Sequence, residues 1–140
     1  MTSYITLTTS DSGSSGKFSV LYGGRQREIR KNMSVDPTVE GGEDITFGGI
    51  HETHAYTIRV RHTESRSGYG NLALLEYLFK LNNPNGVPSS VLTMVDHFGT
   101  SHSVVLVGSF SDSLLGVDIT GSEAWSLVNL TIKYLGNEAI

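Results

Sequence analysis

Apolar and polar residues alternate along most of the chain, a pattern typical of half-buried β-strands. The two clearest strands are residues 54–63 and 124–134. In the first, alternate side chains divide into an apolar face (Tyr56, Ile58, Val60) and a polar face (Thr57, Arg59, Arg61). Shorter alternating runs predict strands at residues 4–8, 18–22, 91–95 and 103–108. We therefore expect a mainly β protein, built as a single domain over residues 1–140.

One segment, residues 70–81, has helical spacing instead. Its apolar side chains recur every three or four positions and form a single face: Leu72, Leu74, Leu75, Leu78, Phe79 and Leu81. Asn71 can cap the start of this helix, and Asn83-Pro84-Asn85-Gly86 ends it. The predicted architecture is an antiparallel β-sandwich or partial barrel with one α-helix packed on it.

Several connections are predicted between these elements. Gly23-Gly24 and Asp96-His97-Phe98-Gly99-Thr100 have the composition of tight turns, and residues 111–116 that of a loop. Residues 32–53 are predicted to form a long flexible loop, because they are polar and acidic with one apolar break at Ile45-Thr46-Phe47. A connection of that length is usually functional or disordered. A hairpin arm that orders only against a partner subunit is one form it can take.

Composition excludes several classes of protein. With no cysteine, the chain has neither disulfides nor thiolate metal sites. It opens without the charged and apolar regions of a signal peptide, and its longest apolar runs are too short to span a bilayer. We therefore expect a protein made in the cytoplasm, with no membrane partner. The net charge of −4 argues against a nucleic-acid binder.

Charge is distributed unevenly along the chain. A basic cluster contains Lys17, Arg25, Arg27, Arg30 and Lys31, and an acidic run follows with Asp36, Glu40, Glu43, Asp44 and Glu52. These can be two solvated loops of opposite sign, or complementary docking surfaces on identical copies. On the second interpretation, the predicted subunit-interface residues are Arg25, Arg27, Arg30, Lys31, Asp36, Glu40, Glu43, Asp44, Arg59 and Arg61.

Histidines and carboxylates suggest chemistry at two places, and neither forms a complete motif. His51, Glu52 and His54 make at best an incomplete metal site, while His62 lies about 26 Å from His54 at ~3.3 Å per strand residue. Asp96, His97, His102 and the serines Ser101 and Ser103 include the ingredients of an acyl-transfer triad, but no serine lies on a strained elbow. We predict no enzyme activity, cofactor or metal site. The single tryptophan, Trp125, is expected to pack in the core.

The order of the motifs resembles a known family. Tyr56-Thr57-Ile58-Arg59-Val60-Arg61 precedes the helix, Leu92-Thr93-Met94-Val95-Asp96-His97-Phe98-Gly99 follows it, and a strand opening with Ala124-Trp125 closes the chain. Over roughly residues 54–135 this resembles the tailed-phage tail proteins of the tail-tube and distal-tail (baseplate hub) superfamily.

This resemblance implies a structural protein of the virion tail. It implies a homohexameric ring that forms the tail tube or its distal end, contacts other tail proteins, and lets DNA pass during genome ejection without binding it. In the family, strands of adjacent subunits join into an inner barrel and a long loop reaches toward a neighbouring ring. The alternative is a non-catalytic, carbohydrate-binding β-sandwich module that uses Trp125, Tyr22 or Tyr69 as a stacking platform.

Overall fold

Six strands and one helix form the part of the chain that the computed structural model describes, residues 3–37, 41–83, 85–117 and 124–136. In chain order they are β1 (Tyr4–Thr8), β2 (Ser15–Pro37), β3 (Glu43–Arg61), α1 (Leu72–Lys80), β4 (Leu92–Val95), β5 (Ser101–Val117) and β6 (Ala124–Tyr134). All strand pairs are antiparallel. The mainly β fold with a helix is therefore confirmed.

The strands form one closed barrel, in the order β1-β2-β3-β6-β5-β4, and not the two packed sheets of a sandwich. Closure depends on the short strand β1, which pairs with β2 on one edge and with β4 on the other. A closed barrel satisfies the backbone groups that open sheet edges would leave exposed. Among the described residues, no helix is long and apolar enough to cross a membrane.

The interior of the barrel is filled by alternate residues of every strand, as the period of two predicts. The faces expected to be apolar are buried, including Tyr56, Ile58 and Val60 of β3. The other strands contribute Ile5, Leu7, Phe18, Leu92, Met94, Val104, Val128, Leu130, Ile132 and Tyr134. Burial of this cluster is the main source of stability for the fold.

Helix α1 covers one end of the barrel. Asn71 caps it as predicted, its side-chain oxygen accepting a 2.9 Å hydrogen bond from the backbone N–H of Leu74. Leu75 and Leu78 belong to the same buried cluster as the inward residues of the strands. The outward residues of the strands are exposed or half-buried, so the helix lies over the barrel opening and not on its outer wall. We call this opening the helix end.

The segment predicted as a loop, residues 32–53, is strand backbone over 32–37 and 43–53. β1 pairs with β2 only over Ser15–Ser19, and β6 pairs with β3 only from Glu52 onward. Residues 30–37 of β2 and 43–51 of β3 therefore pair only with each other, from Arg30↔His51 to Pro37↔Glu43. We call this two-stranded ribbon the arm. Apolar residues alternate here only in two short runs, which pair as Met33↔Phe47 and Val35↔Ile45. The residues around these runs are polar, acidic or Gly, which is why the sequence pattern indicated a loop.

Two predicted breaks are also continuous strand. Gly23-Gly24 is not a turn: residues 21–24 form a bulge in β2 between the pairs Val20↔Ile58 and Arg25↔Tyr56. The bulge changes the phase of β2, so that even-numbered residues face inward before it and odd-numbered residues after it. Residues 111–116 likewise continue β5 to Val117, beyond a register shift that contains Gly108 at φ +80.

Candidate assembly surfaces

The arm presents unpaired strand edges. Within the described residues, β2 beyond Val20 and β3 up to residue 51 have a strand partner on one side only, as does β5 beyond Val104. Backbone N–H and C=O groups on such an edge are a template for a strand of another chain. The arm, the preceding stretch of β2 at residues 21–29 and the distal half of β5 are therefore places where this barrel can be extended.

The nine predicted interface residues that the structure describes lie on the paired strands β2 and β3 and not on separate loops. Arg30 pairs with His51, and Asp36 with Asp44. Arg30 and Lys31 are exposed. For Arg25, Asp36, Glu43 and Asp44 the structure describes the backbone but not the side chain, and Glu40 lies outside the described residues. The opposite signs thus occupy successive stretches of one ribbon.

Arg27 and Glu52 form an ion pair where the arm leaves the barrel. Both Nε and Nη2 of Arg27 lie 2.6 Å from Oε1 of Glu52, a residue that is only 5 % exposed. Burial of Glu52 raises the pKa of its carboxyl group, but the hydrogen bond and charge of Arg27, aided by the charge of His54, outweigh burial and lower it. The predicted interface residue Arg27 therefore has a partner within its own subunit.

A stack of aromatic rings adjoins this ion pair. His54 lies parallel to Tyr134 with ring centroids 4.0 Å apart, and its Nε2 is 3.6 Å from Oε1 of Glu52. Tyr56 lies beyond His54 at 6.2 Å, and His102 contacts the ring of Tyr134 at 4.4 Å. The stack links β3, β6 and β5 across the barrel end from which the arm projects.

Asp96 organises the turn between β4 and β5. Its Oδ1 accepts hydrogen bonds from the backbone N–H groups of Phe98 and Thr100, both at 2.9 Å. Its Oδ2 lies 2.9 Å from Nε2 of His102. Burial of Asp96 raises its pKa, but these donors and the charge of His102 lower it overall. Of the residues considered for a catalytic triad, Asp96 and His102 are thus in contact, and they stabilise this turn. Gly99 completes the turn with a φ of +85.

A cleft of about 630 Å³ opens beside this cluster. It is lined by Arg27, Ile29, Ile50, Glu52, Ser101, His102, Ser103, Tyr134 and Gly136. His51 and His54, considered together as metal ligands, have opposite parity on β3, and His51 lines a separate surface with Glu28 and Arg30. Among the described residues, no group of three or more His, Asp or Glu side chains is placed to hold a metal ion.

Arg59 and Arg61 lie on the outer wall of the barrel, as the alternation predicts. Trp125 also faces outward and is not a core residue, because it pairs with Arg61 across the β3–β6 ladder and shares its face. The guanidinium carbon of Arg59 lies 3.3 Å from the centroid of the Trp125 ring. Sequence reasoning named Tyr69 only as a possible sugar platform and missed its neighbours Tyr4 and Arg66, although the i,i+3 spacing of Arg66 and Tyr69 was a readable signal.

Comparisons with known proteins identify no family for this chain. No family model matches the chain, and no curated protein matches it. The barrel, its arm and its charged outer wall are therefore the observations from which function is inferred.

Proposed function

We propose that this protein is a structural subunit of a phage tail that assembles with copies of itself into rings. The observation that carries the proposal is the arm, a two-stranded ribbon that continues beyond the barrel with unpaired edges. Its strand 43–51 is about 30 Å long at ~3.3 Å per residue. A ribbon of that length on a small closed barrel is suited to pairing with neighbouring subunits.

The ring would form the tail tube or its distal, baseplate end. Its partners are further copies of this chain, in the hexamer that the family resemblance implies, and other tail proteins. DNA would pass through the ring without specific binding, because a net charge of −4 repels phosphate. The proposed location is accordingly the virion tail, and the proposed role needs no catalysis.

The carbohydrate-binding alternative receives less support from the side chains proposed for it. Arg59 covers one face of Trp125 at 3.3 Å, and the guanidinium carbon of Arg66 lies 3.9 Å from the centroid of Tyr69. For Tyr22 the side chain lies outside the description. A sugar would have to displace the arginine before it could stack on the ring face that the arginine covers.

Assembly can be tested with an arm-deleted variant. Replacing residues 32–49 with Asn-Gly joins Lys31 to Ile50, which face each other in the ladder, through a two-residue hairpin turn. The variant keeps Arg27, Glu52 and the whole barrel. We expect the full chain to form rings or tubes in size-exclusion chromatography and negative-stain microscopy, and the variant to remain a folded monomer.

Two results would contradict the proposal. One is a full chain that stays monomeric at high concentration, and the other is an arm-deleted variant that still forms rings. Circular dichroism of Trp125 in the near ultraviolet reports whether the barrel of the variant is intact. An unchanged near-ultraviolet spectrum would attribute the loss of assembly to the arm and not to misfolding.

A further inference from the structure

The outer wall of the barrel near the helix end carries a concentration of cations and aromatic rings. The cations are Lys17, Arg59, Arg61 and Arg66, four of the ten Lys and Arg residues in an acidic chain. The rings are Tyr4, Tyr69 and Trp125. Ser19 pairs with both Tyr4 and Arg59, and Lys17 bridges to Tyr69, so these side chains lie on adjoining strands. We call these seven residues the basic face.

Stacking on the rings orients the cations. Besides Arg59 on Trp125, the Nζ of Lys17 lies 4.9 Å from the ring centroid of Tyr4 and 5.9 Å from that of Tyr69. Backbone hydrogen bonds between Lys17 and residues 68 and 70 fix Tyr69 in this position. A guanidinium that stacks through its flat face keeps its N–H groups directed outward. The basic face is therefore preorganised to bind carboxylates or phosphates.

Charge on the basic face is only partly balanced within the subunit. Glu64 pairs with Arg66 through two contacts of 2.9 Å, and this hydrogen bond lowers the pKa of the Glu64 carboxyl group. Among the described residues, no carboxylate lies within ion-pair distance of Arg59 or Lys17. The face thus has a surplus of positive charge in a protein that is acidic overall.

The tip of the arm carries an excess of negative charge, opposite in sign to that of the basic face. Asp36 lies directly opposite Asp44, and the next pair adds Glu43 opposite Pro37. Carboxylates at directly opposite positions of a ladder repel each other. The chain has no Lys or Arg between Lys31 and Arg59 to offset them. The sequence of the arm tip therefore carries a net negative charge, which a cationic surface supplied from elsewhere would complement.

The two surfaces are too far apart to meet within one subunit. Lys17 and Asp36 lie near opposite ends of strand β2, whose length between them is at most about 60 Å at ~3.3 Å per residue, and Asp36 lies in the arm that leaves the barrel at the end opposite the helix. Complementary patches at opposite ends of one molecule generate head-to-tail contacts between copies. We propose that the basic face of one subunit docks the arm tip of a second copy, at Asp36, Glu43 and Asp44. This inference rests on the proposed self-assembly and names its contact surfaces.

Charge reversal in the full chain tests the contact. The variants are Arg59→Glu, Asp44→Lys and the double variant, with Lys80→Glu as the control because Lys80 is an exposed helix residue outside both surfaces. We expect each single reversal to weaken association at least tenfold by sedimentation velocity and the double variant to recover most of it. Lys80→Glu should associate like the unmodified chain. Raising the salt concentration from 50 to 500 mM should weaken the unmodified chain and leave the single variants less affected.

The outcomes separate this contact from assembly itself. If the unmodified chain forms rings and the single reversals leave association unchanged, the docking inference is wrong and the assembly proposal stands. If both singles weaken association and the double variant does not recover, the two surfaces do not meet each other. Binding of a labelled duplex oligonucleotide that Arg59→Glu abolishes would reassign the face to nucleic acid. A chain that never associates would overturn both proposals.

Discussion

The carboxylate of Glu52 shows how a single residue holds the base of the arm. Replacing Arg27 with Met would leave this buried carboxylate without its main partner. We expect the free energy of unfolding to fall by about 1–2 kcal/mol. The value is modest because Arg27 is half-exposed, so that solvent screens the pair. Urea denaturation measures the change. Arg30→Met, on the exposed outer face of the same strand, is the matched control and should stay within about 0.5 kcal/mol.

The effect of Arg27→Met should depend on pH. Since the pKa of Glu52 is lowered in the folded state, its contribution to stability is present above the ordinary value of 4.5 and is lost as the pH falls through the lowered pKa. The difference between the unmodified chain and Arg27→Met should therefore be largest at neutral pH and disappear in acid. A difference that stayed constant down to pH 2 would mean that Arg27 acts through packing alone.

The turn at Asp96 allows its charge to be separated from its hydrogen bonds. Asp96→Asn keeps the oxygen that accepts from the N–H groups of Phe98 and Thr100 and loses the charged contact to His102. Asp96→Ala loses all three contacts. We expect a loss of about 1–2 kcal/mol for Asp96→Ala and a smaller one for Asp96→Asn in urea denaturation. Equal losses would show that the pair with His102, not the turn, carries the stabilisation.

At the scale of elements, helix α1 should contribute to stability through its inward face. Leu75 is fully buried, and its replacement by Ala should lower the free energy of unfolding by about 2–5 kcal/mol because the barrel end cannot close over the cavity. Tyr77 lies on the outer face of the same helix at 44 % exposure, and Tyr77→Ala should change stability by less than about 0.5 kcal/mol. Thermal denaturation followed by far-ultraviolet circular dichroism measures both variants.

The elements that sequence predicts are those that bury one face. β1, β6 and α1 have strong periodicity because their apolar residues enter a shared core, and their predicted positions are confirmed. In the arm the apolar alternation is confined to two short runs, Met33 to Val35 and Ile45 to Phe47, and the polar and acidic residues around them indicated a loop. Two further features are non-local: the pairing of β1 with β4 that closes the barrel, and the bulge at residues 21–24 that turns Arg27 inward toward Glu52. The Gly23-Gly24 pair marks the bulge without revealing its geometry.

At the scale of the whole molecule, assembly should be visible as concentration-dependent stability. Subunits that associate only when folded stabilise each other by mass action, so a tenfold rise in concentration adds up to about 1.4 kcal/mol per subunit. For a chain of this size we expect the Tm of the full protein to rise by about 3–6 °C per tenfold increase. The arm-deleted variant should have a Tm that does not depend on concentration, because its barrel is a closed unit. Differential scanning calorimetry over a hundredfold range of concentration makes the comparison. If the Tm of the full chain were equally constant, the protein would be a stable monomer and not a ring-forming subunit.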